Sequence, residues 1–172
     1  ARLEREIRRK TIADDLAAYA KLLEGDPDNP LRLDAVGDLL LQGGRLEEAI
    51  DRYRRSLSLN PASASTHYNL GYALSARGRR DEAIAELREA LRIDPDYAQA
   101  HNNLGALLQL RGNGDEALSH FERAIALRPD GVDALTNLGL LLSSRRRPAD
   151  AVTRFRAALA IDGANAQALS GL

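Results

Sequence analysis

Two histidines, His67 and His101, stand 34 residues apart and are the first residues whose type and spacing could do chemistry. Imidazoles at equivalent places on neighbouring elements could share a metal ion. The next interval offers Leu135 instead of a third ligand, and the chain contains no cysteine, which excludes Cys-ligated zinc, thiolate catalysis and disulfides. Both histidines are therefore read as packing on a helix face, with His120 exposed on another helix, and no metal or cofactor is expected. Residues 112–117, GNGDEA, match the loose dinucleotide pattern G-x-G-x-x-A. That pattern works only between a strand and a helix, and the apolar spacing before it is helical, so it marks a turn. Arg77, Arg79 and Arg80, with Arg145, Arg146 and Arg147, could touch phosphate. Acidic Asp81 and Glu82 follow at once and no aromatic platform is interleaved, so these arginines suit helix C-termini and nucleic acid is not expected. Asn69, Asn103 and Asn137 form a further column at the same interval. A carboxamide carries both donor and acceptor, so the three could pair with the backbone of an extended peptide, or bond their own helix or water. Neither paired catalytic carboxylates nor a Ser/His/Asp set appears outside these periodic positions, and no enzymatic activity is expected.

The elements that must position these residues follow from the interval itself. Gly37, Gly71, Gly105 and Gly139 are in phase. So are Ala49, Ala83, Ala117 and Ala151; Tyr53, Leu87, Phe121 and Phe155; and Pro27, Pro61, Pro95 and Pro129. Four repeats result, at 30–63, 64–97, 98–131 and 132–165. Leu104, Leu107 and Leu108 recur at helical spacing and mark the buried face of a first helix; Leu118, Phe121, Ala124 and Ile125 mark a second. Gly105 and Ala117 are small enough for the two helices to approach closely, and a large side chain there would overpack the contact. Gly44, Gly78 and Gly112 close first helices, where a positive φ is wanted. Glu48, Glu82, Glu116 and Asp150 suit the positive end of each second helix, and Pro129 stops one. Departures are few: Arg146 replaces the turn glycine, Gly163 replaces the proline, and Ala35 stands where later repeats have Asn.

Residues 12–27 read as half of an incomplete repeat, with Leu16, Tyr19, Leu22, Leu23 and Pro27 in phase and Asp15 breaking it. Residues 1–10 form a charged helical stretch out of phase, so 1–29 is taken as a helical cap with a partial repeat. Ala168, Leu169 and Leu172 begin a further or capping helix over 166–172, an apolar end through which self-association is expected to be feasible. The chain opens on Ala rather than Met and is expected to begin inside a longer gene product or after processing.

At 172 residues, 44% hydrophobic and 28% charged, the composition is that of a folded protein. Aromatics reach only 4%, fewer than a globular core normally uses. A net charge of −1 supplies no field for nucleic acid or an anionic membrane. No apolar run approaches the roughly 20 residues that span a bilayer, so membrane insertion is not expected. Arg outnumbers Lys 22 to 2, which reads as coding bias. A bacterial cytoplasm is the expected setting.

The segment AQAHNNLGALLQLRGNGDEALSHFERAIALRPDG, residues 98–131, with Leu104-Gly105, Ala117, Phe121, Ala124 and Pro129, resembles the tetratricopeptide repeat family. The other three repeats keep most of the pattern. The resemblance implies an all-α fold, a right-handed superhelical α-solenoid of stacked helix-turn-helix repeats. It also implies a non-catalytic scaffold that holds an extended peptide on the concave face of its first helices. The family positions map to Asp34 and Asp38; Tyr68, Asn69 and Tyr72; Asn102, Asn103 and Gln109; and Asp133, Thr136, Asn137 and Leu140. The N-N-L-G run is similar to the asparagine ladder of the O-GlcNAc transferase repeat arm, so attachment to a larger enzyme stays open. Some members clamp a C-terminal carboxylate with Lys, Arg and Asn. Here Asp34 and Asp38 stand where the first Lys and Asn would be, and Gln99 and Asn103 where later basic residues would be. An acidic C-terminal motif is thereby disfavoured, and Asp34, Asp38 and Asp133 favour a basic segment.

Overall fold

The computed structural model describes residues 16–18, 21 and 25–172. The expectations for residues 1–10 and for Asp15, Tyr19, Leu22 and Leu23 lie outside the described residues. Among the described residues every regular element is a helix, and the expected 3.6-residue periodicity is met throughout.

The chain divides into two compact units, one ending at Ile93 and one running from Asp94 to Leu172. In the first, α1 (Pro30–Gln42) pairs with α2 (Leu46–Leu59), and α3 (Ala64–Ala76) with α4 (Arg80–Ile93). Helix α3 also packs on α2 and touches α1. In the second, α5 (Ala98–Leu110) pairs with α6 (Gly114–Leu127), and α7 (Val132–Ser144) with α8 (Pro148–Ile161). Helix α7 packs on α6 and touches α5, and the short α9 (Ala166–Ser170) sits against α8 and α7.

Local signals start and stop these helices where the sequence places them. Asn29 caps α1, its side chain accepting from the Arg32 amide, with Pro30 just inside the helix. Ser63 and Asn165 cap α3 and α9 in the same way. Each first helix of a hairpin ends in one turn design: an amide reaches back five residues, from Arg45 to Leu40, Arg79 to Leu74, Asn113 to Leu108 and Arg147 to Leu142. The residue before that amide has positive φ in all four: Gly44 at 75°, Gly78 at 84°, Gly112 at 88° and Arg146 at 58°. Acidic residues occupy the first turn of every second helix, including Glu48, Glu82, Glu116 and Asp150.

The small column exists to accept the bulky one. A Cβ built on Gly37 would lie 2.5 Å from Tyr53 Cε1, on Gly105 2.8 Å from Phe121 Cε1, and on Gly139 2.5 Å from Phe155 Cε1. Tyr53, Leu87, Phe121 and Phe155 are all fully buried, as are Ala49, Ala83 and Ala117. Each hairpin thus closes by seating one large side chain of its second helix over one glycine of its first.

Candidate functional site

The first helix of each hairpin carries a polar stripe beside its buried face, and that stripe is where the candidate residues fall. In the first unit Asp34 and Asp38 lie one turn apart on α1, which puts both carboxylates on one side. Asp38 Oδ1 accepts from the Tyr53 hydroxyl at 2.6 Å and from Asn69 Nδ2 at 2.9 Å. Thr66 Oγ1 donates to Asp34 Oδ2 at 2.7 Å, while Asp34 Oδ1 is buried without a partner. Partial burial holds the Asp38 carboxyl above its usual range; the Tyr53 bond works against this and the neighbouring Asp34 charge adds to it. Burial, then the bond to Asp38, pushes the Tyr53 hydroxyl up. Tyr72 stands out beside this network, 49% exposed, and Tyr68 is half-buried.

In the second unit the stripe is built of carboxamides. Asn102 Nδ2 donates to Asn103 Oδ1 at 3.3 Å, and Asn137 Nδ2 donates to Asn102 Oδ1 at 3.0 Å. The latter bond joins α7 to α5, so it ties one hairpin to the next. All three are half-buried. Thr136 departs from expectation: it is 1% exposed and its Oγ1 is buried without a partner, so it does not line the face with Asn137. A side chain this short stays within the packed side of α7, whereas Asn102, one repeat earlier, is long enough to reach out.

The asparagine column is therefore engaged more deeply than spacing suggested. Asn69 bonds the preceding repeat through Asp38, and Asn137 through Asn102. Sequence reasoning named Asp38 and Asn102 as peptide contacts but did not foresee that they accept from Asn69 and Asn137. It also missed Thr66, which spends its hydroxyl on Asp34.

The histidines serve the hairpins. His67 on α3 sets Nδ1 2.7 Å from Glu86 Oε2 on α4 and Nε2 3.1 Å from the Pro61 carbonyl. His101 on α5 sets Nδ1 2.8 Å from His120 Nδ1 on α6 and Nε2 2.9 Å from the Pro95 carbonyl. His120 is half-buried rather than exposed, because it fills on α6 the place Glu86 fills on α4. The 19-residue separation common to both pairs was the available signal. Among the described residues no group of three or more His, Cys, Asp or Glu is placed to hold a metal ion. No helix among them is long and apolar enough to cross a membrane.

The arginines at the turns meet carboxylates. Arg77 pairs with Glu47, Arg79 with Glu82 and Glu47, Arg145 with Asp115, and Arg147 with Asp150. The Glu47 and Asp115 bridges join neighbouring hairpins within a unit. Being largely exposed, each contributes little to stability, and together they offset the charge of Arg77, Arg79, Arg145 and Arg147.

Comparison with known proteins gives a consistent result. A sequence profile described as TPR repeat matches residues 37–78 and 71–112, and one described as tetratricopeptide repeat matches residues 96–164. The search of curated protein sequences returned no match. Among solved structures, MamA superposes with a TM-score of 0.80 at 28% identity, covering 91% of each chain. YrrB, described as a TPR protein with an unusual peptide-binding site, gives 0.76 at 24% identity, covering 94% of this chain and 83% of its own. PilF of Pseudomonas aeruginosa gives 0.80 at 21% identity, covering 98% of this chain and 82% of its own. The phased glycines and aromatics, the all-helical hairpins and the profile matches lead to one assignment: the chain belongs to the tetratricopeptide repeat family.

Proposed function

We propose that the chain is a non-catalytic interaction scaffold whose first helices, in repeats 30–63, 64–97, 98–131 and 132–165, receive an extended segment of a partner polypeptide. The observation that carries this reading is the state of the polar stripe. Asn69 and Asn137 are half-buried, each spends one amide hydrogen on the preceding repeat, and each keeps a carboxamide oxygen and a second N–H. An amide held by its own chain yet with capacity left is pre-oriented for a backbone amide, which lowers the ordering cost of binding. Tyr72 adds an exposed ring for apolar contact. YrrB shares the fold and is described by a peptide-binding site, so the architecture is compatible with one.

In the second unit Asn102 and Asn103 belong to the stripe with Asn137, and in the first Tyr68 is half-buried like Asn69 while Asp34 and Asp38 add carboxyl groups suited to a basic segment. The N-N-L-G style shared with the O-GlcNAc transferase arm is kept as an analogy of sequence alone.

The test uses substitutions chosen by what each side chain does in the fold. Tyr72→Ala removes an exposed ring and should leave the melting temperature unchanged. Asn137→Ala breaks a bond to Asn102 and should cost about 1 kcal/mol. A peptide selected from a random display library against the wild type should bind each variant at least fivefold more weakly by calorimetry. Unchanged binding to both variants would remove this face from the proposal.

A further inference from the structure

The asparagine of the first unit is held differently from that of the second, and the difference sets what it can offer. Asn69 Nδ2 donates to Asp38 Oδ1 at 2.9 Å, and the Tyr53 hydroxyl donates to the same oxygen at 2.6 Å. A carboxylate oxygen only accepts, so Asn69 must turn its nitrogen to Asp38 and its oxygen away. Among the described residues no group donates to that oxygen, yet it is not buried, so it stands as an acceptor at the surface. Asn137 is held less strictly. Its partner Asn102 is a carboxamide that can donate as well as accept, so that bond by itself fixes no direction.

Tyr53 is the odd member of its column. Leu87, Phe121 and Phe155 fill the equivalent places without a hydroxyl, and all four side chains are fully buried. Phe121 and Phe155 seat over Gly105 and Gly139 as Tyr53 seats over Gly37, so the hydroxyl is not needed for the packing. Being buried, it requires an acceptor, and it has one in Asp38.

We propose that Asp38 and Tyr53 are positioning residues that lock the Asn69 carboxamide with its oxygen toward solvent, so that the stripe receives a backbone N–H there and refuses a proline. This rests on the reading of the stripe as a peptide-docking face. The lock is held twice. Without the Tyr53 hydroxyl, the Asp38 carboxylate still only accepts. With Asn in place of Asp38, the buried hydroxyl still demands an acceptor and keeps that amide's oxygen turned to itself, at the atom Asn69 also meets. Only when both are changed can the two carboxamides turn over together, and Asn69 then offers N–H where its oxygen stood.

The probe is a peptide selected from a random display library against the wild type, remade with each backbone amide in turn replaced by an ester. An ester has no N–H and sets an oxygen in its place. A locked carboxamide oxygen therefore loses a hydrogen bond and meets another acceptor, whereas a carboxamide free to turn donates to it. The loss on ester substitution, measured within one variant by calorimetry, cancels changes in overall affinity. At one peptide position it should be roughly tenfold in the wild type, about the strength of one hydrogen bond, and absent in Asn69→Ala. Tyr53→Phe and Asp38→Asn should each keep it, while the double variant should bring it below about threefold. The free wild-type protein supplies a second readout: one Asn69 side-chain hydrogen, the one bonded to Asp38, should exchange with solvent more slowly than the other. Unchanged peptide affinity in Asn69→Ala would remove the docking reading and this proposal with it. Weaker binding by Asn69→Ala with no ester-sensitive position tied to it, a double variant that keeps the wild-type loss, or equal exchange of the two hydrogens would overturn the lock alone.

Discussion

Replacing Gly139 with Ala is the sharpest perturbation of the packing described above. Its Cβ would meet Phe155 Cε1 at 2.5 Å, Cδ1 at 2.8 Å and Cζ at 2.9 Å, so the whole ring edge must retreat. Retreat is blocked, because the opposite edge of the same ring, at Cε2 and Cδ2, lies against Gly171. Overpacking of this kind costs about 1–3 kcal/mol, and the better helix propensity of Ala returns up to about 1 kcal/mol. The net loss should be about 1–2 kcal/mol, a fall in melting temperature of roughly 3–6 °C for a chain of this size. Gly105→Ala meets Phe121 at 2.8 Å with no second glycine behind the ring, and should cost less. Gly71→Ala meets the branch carbon of Leu87 at 3.0 Å and the Ala83 carbonyl oxygen at 3.2 Å, contacts looser than those with the rings, and should cost less than Gly139→Ala. Urea and thermal unfolding of the three variants should give that order. The double variant Gly139→Ala with Phe155→Leu should recover about 1 kcal/mol relative to the sum of its single changes. Equal losses at Gly71 and Gly139, or strict additivity with Phe155→Leu, would refute the claim that each glycine is there to seat its own large partner.

Two further outcomes follow from the local geometry. Arg146 holds φ of 58° where the other three turns use glycine. Arg146→Gly removes about 1–2 kcal/mol of left-handed strain and adds about 0.5–1 kcal/mol of unfolded-state entropy. It should therefore stabilise the last full hairpin slightly, measured by hydrogen exchange on α7 and α8. Asp38 has a carboxyl raised in the fold, chiefly by burial. A group whose folded value lies above its unfolded one adds stability at low pH and loses it as pH rises through the folded value. Ionised Asp38 thus works against folding at neutral pH, and Asp38→Asn, which still accepts from Tyr53 and Asn69, should gain stability at pH 7 relative to the wild type and lose that advantage in acid. The check is denaturant unfolding at both pH values.

What could be read from the sequence was whatever a repeat must do identically each time. Gly105 recurs because Phe121 needs the space, and Gly112 recurs because the turn needs a positive φ. Such demands come from the backbone and the core, which are the same in every unit, so they write themselves as columns. The all-α hairpins, the Arg146 departure and the family followed from them. The candidate face was less legible because its contacts are made once. Asn69 turns to Asp38, whereas Asn137 turns to Asn102, from a different column. Thr136 disappears from the face although Asn102, in the same column, stays on it. His120 looked like an exposed residue of a second helix until Glu86, one period earlier, showed that the place faces a first-helix histidine. Side-chain length and the polarity of one neighbour decide these cases, and neither is periodic.

The most direct test of a scaffold that docks an extended chain is backbone amide shift mapping with a selected peptide bound. Perturbations should fall on α1, α3, α5 and α7 and centre on Asn69, Tyr72, Asn103 and Asn137, leaving α2, α4, α6 and α8 quiet on their outer sides. Perturbations confined to the second helices or to the arginine-bearing turns would contradict it.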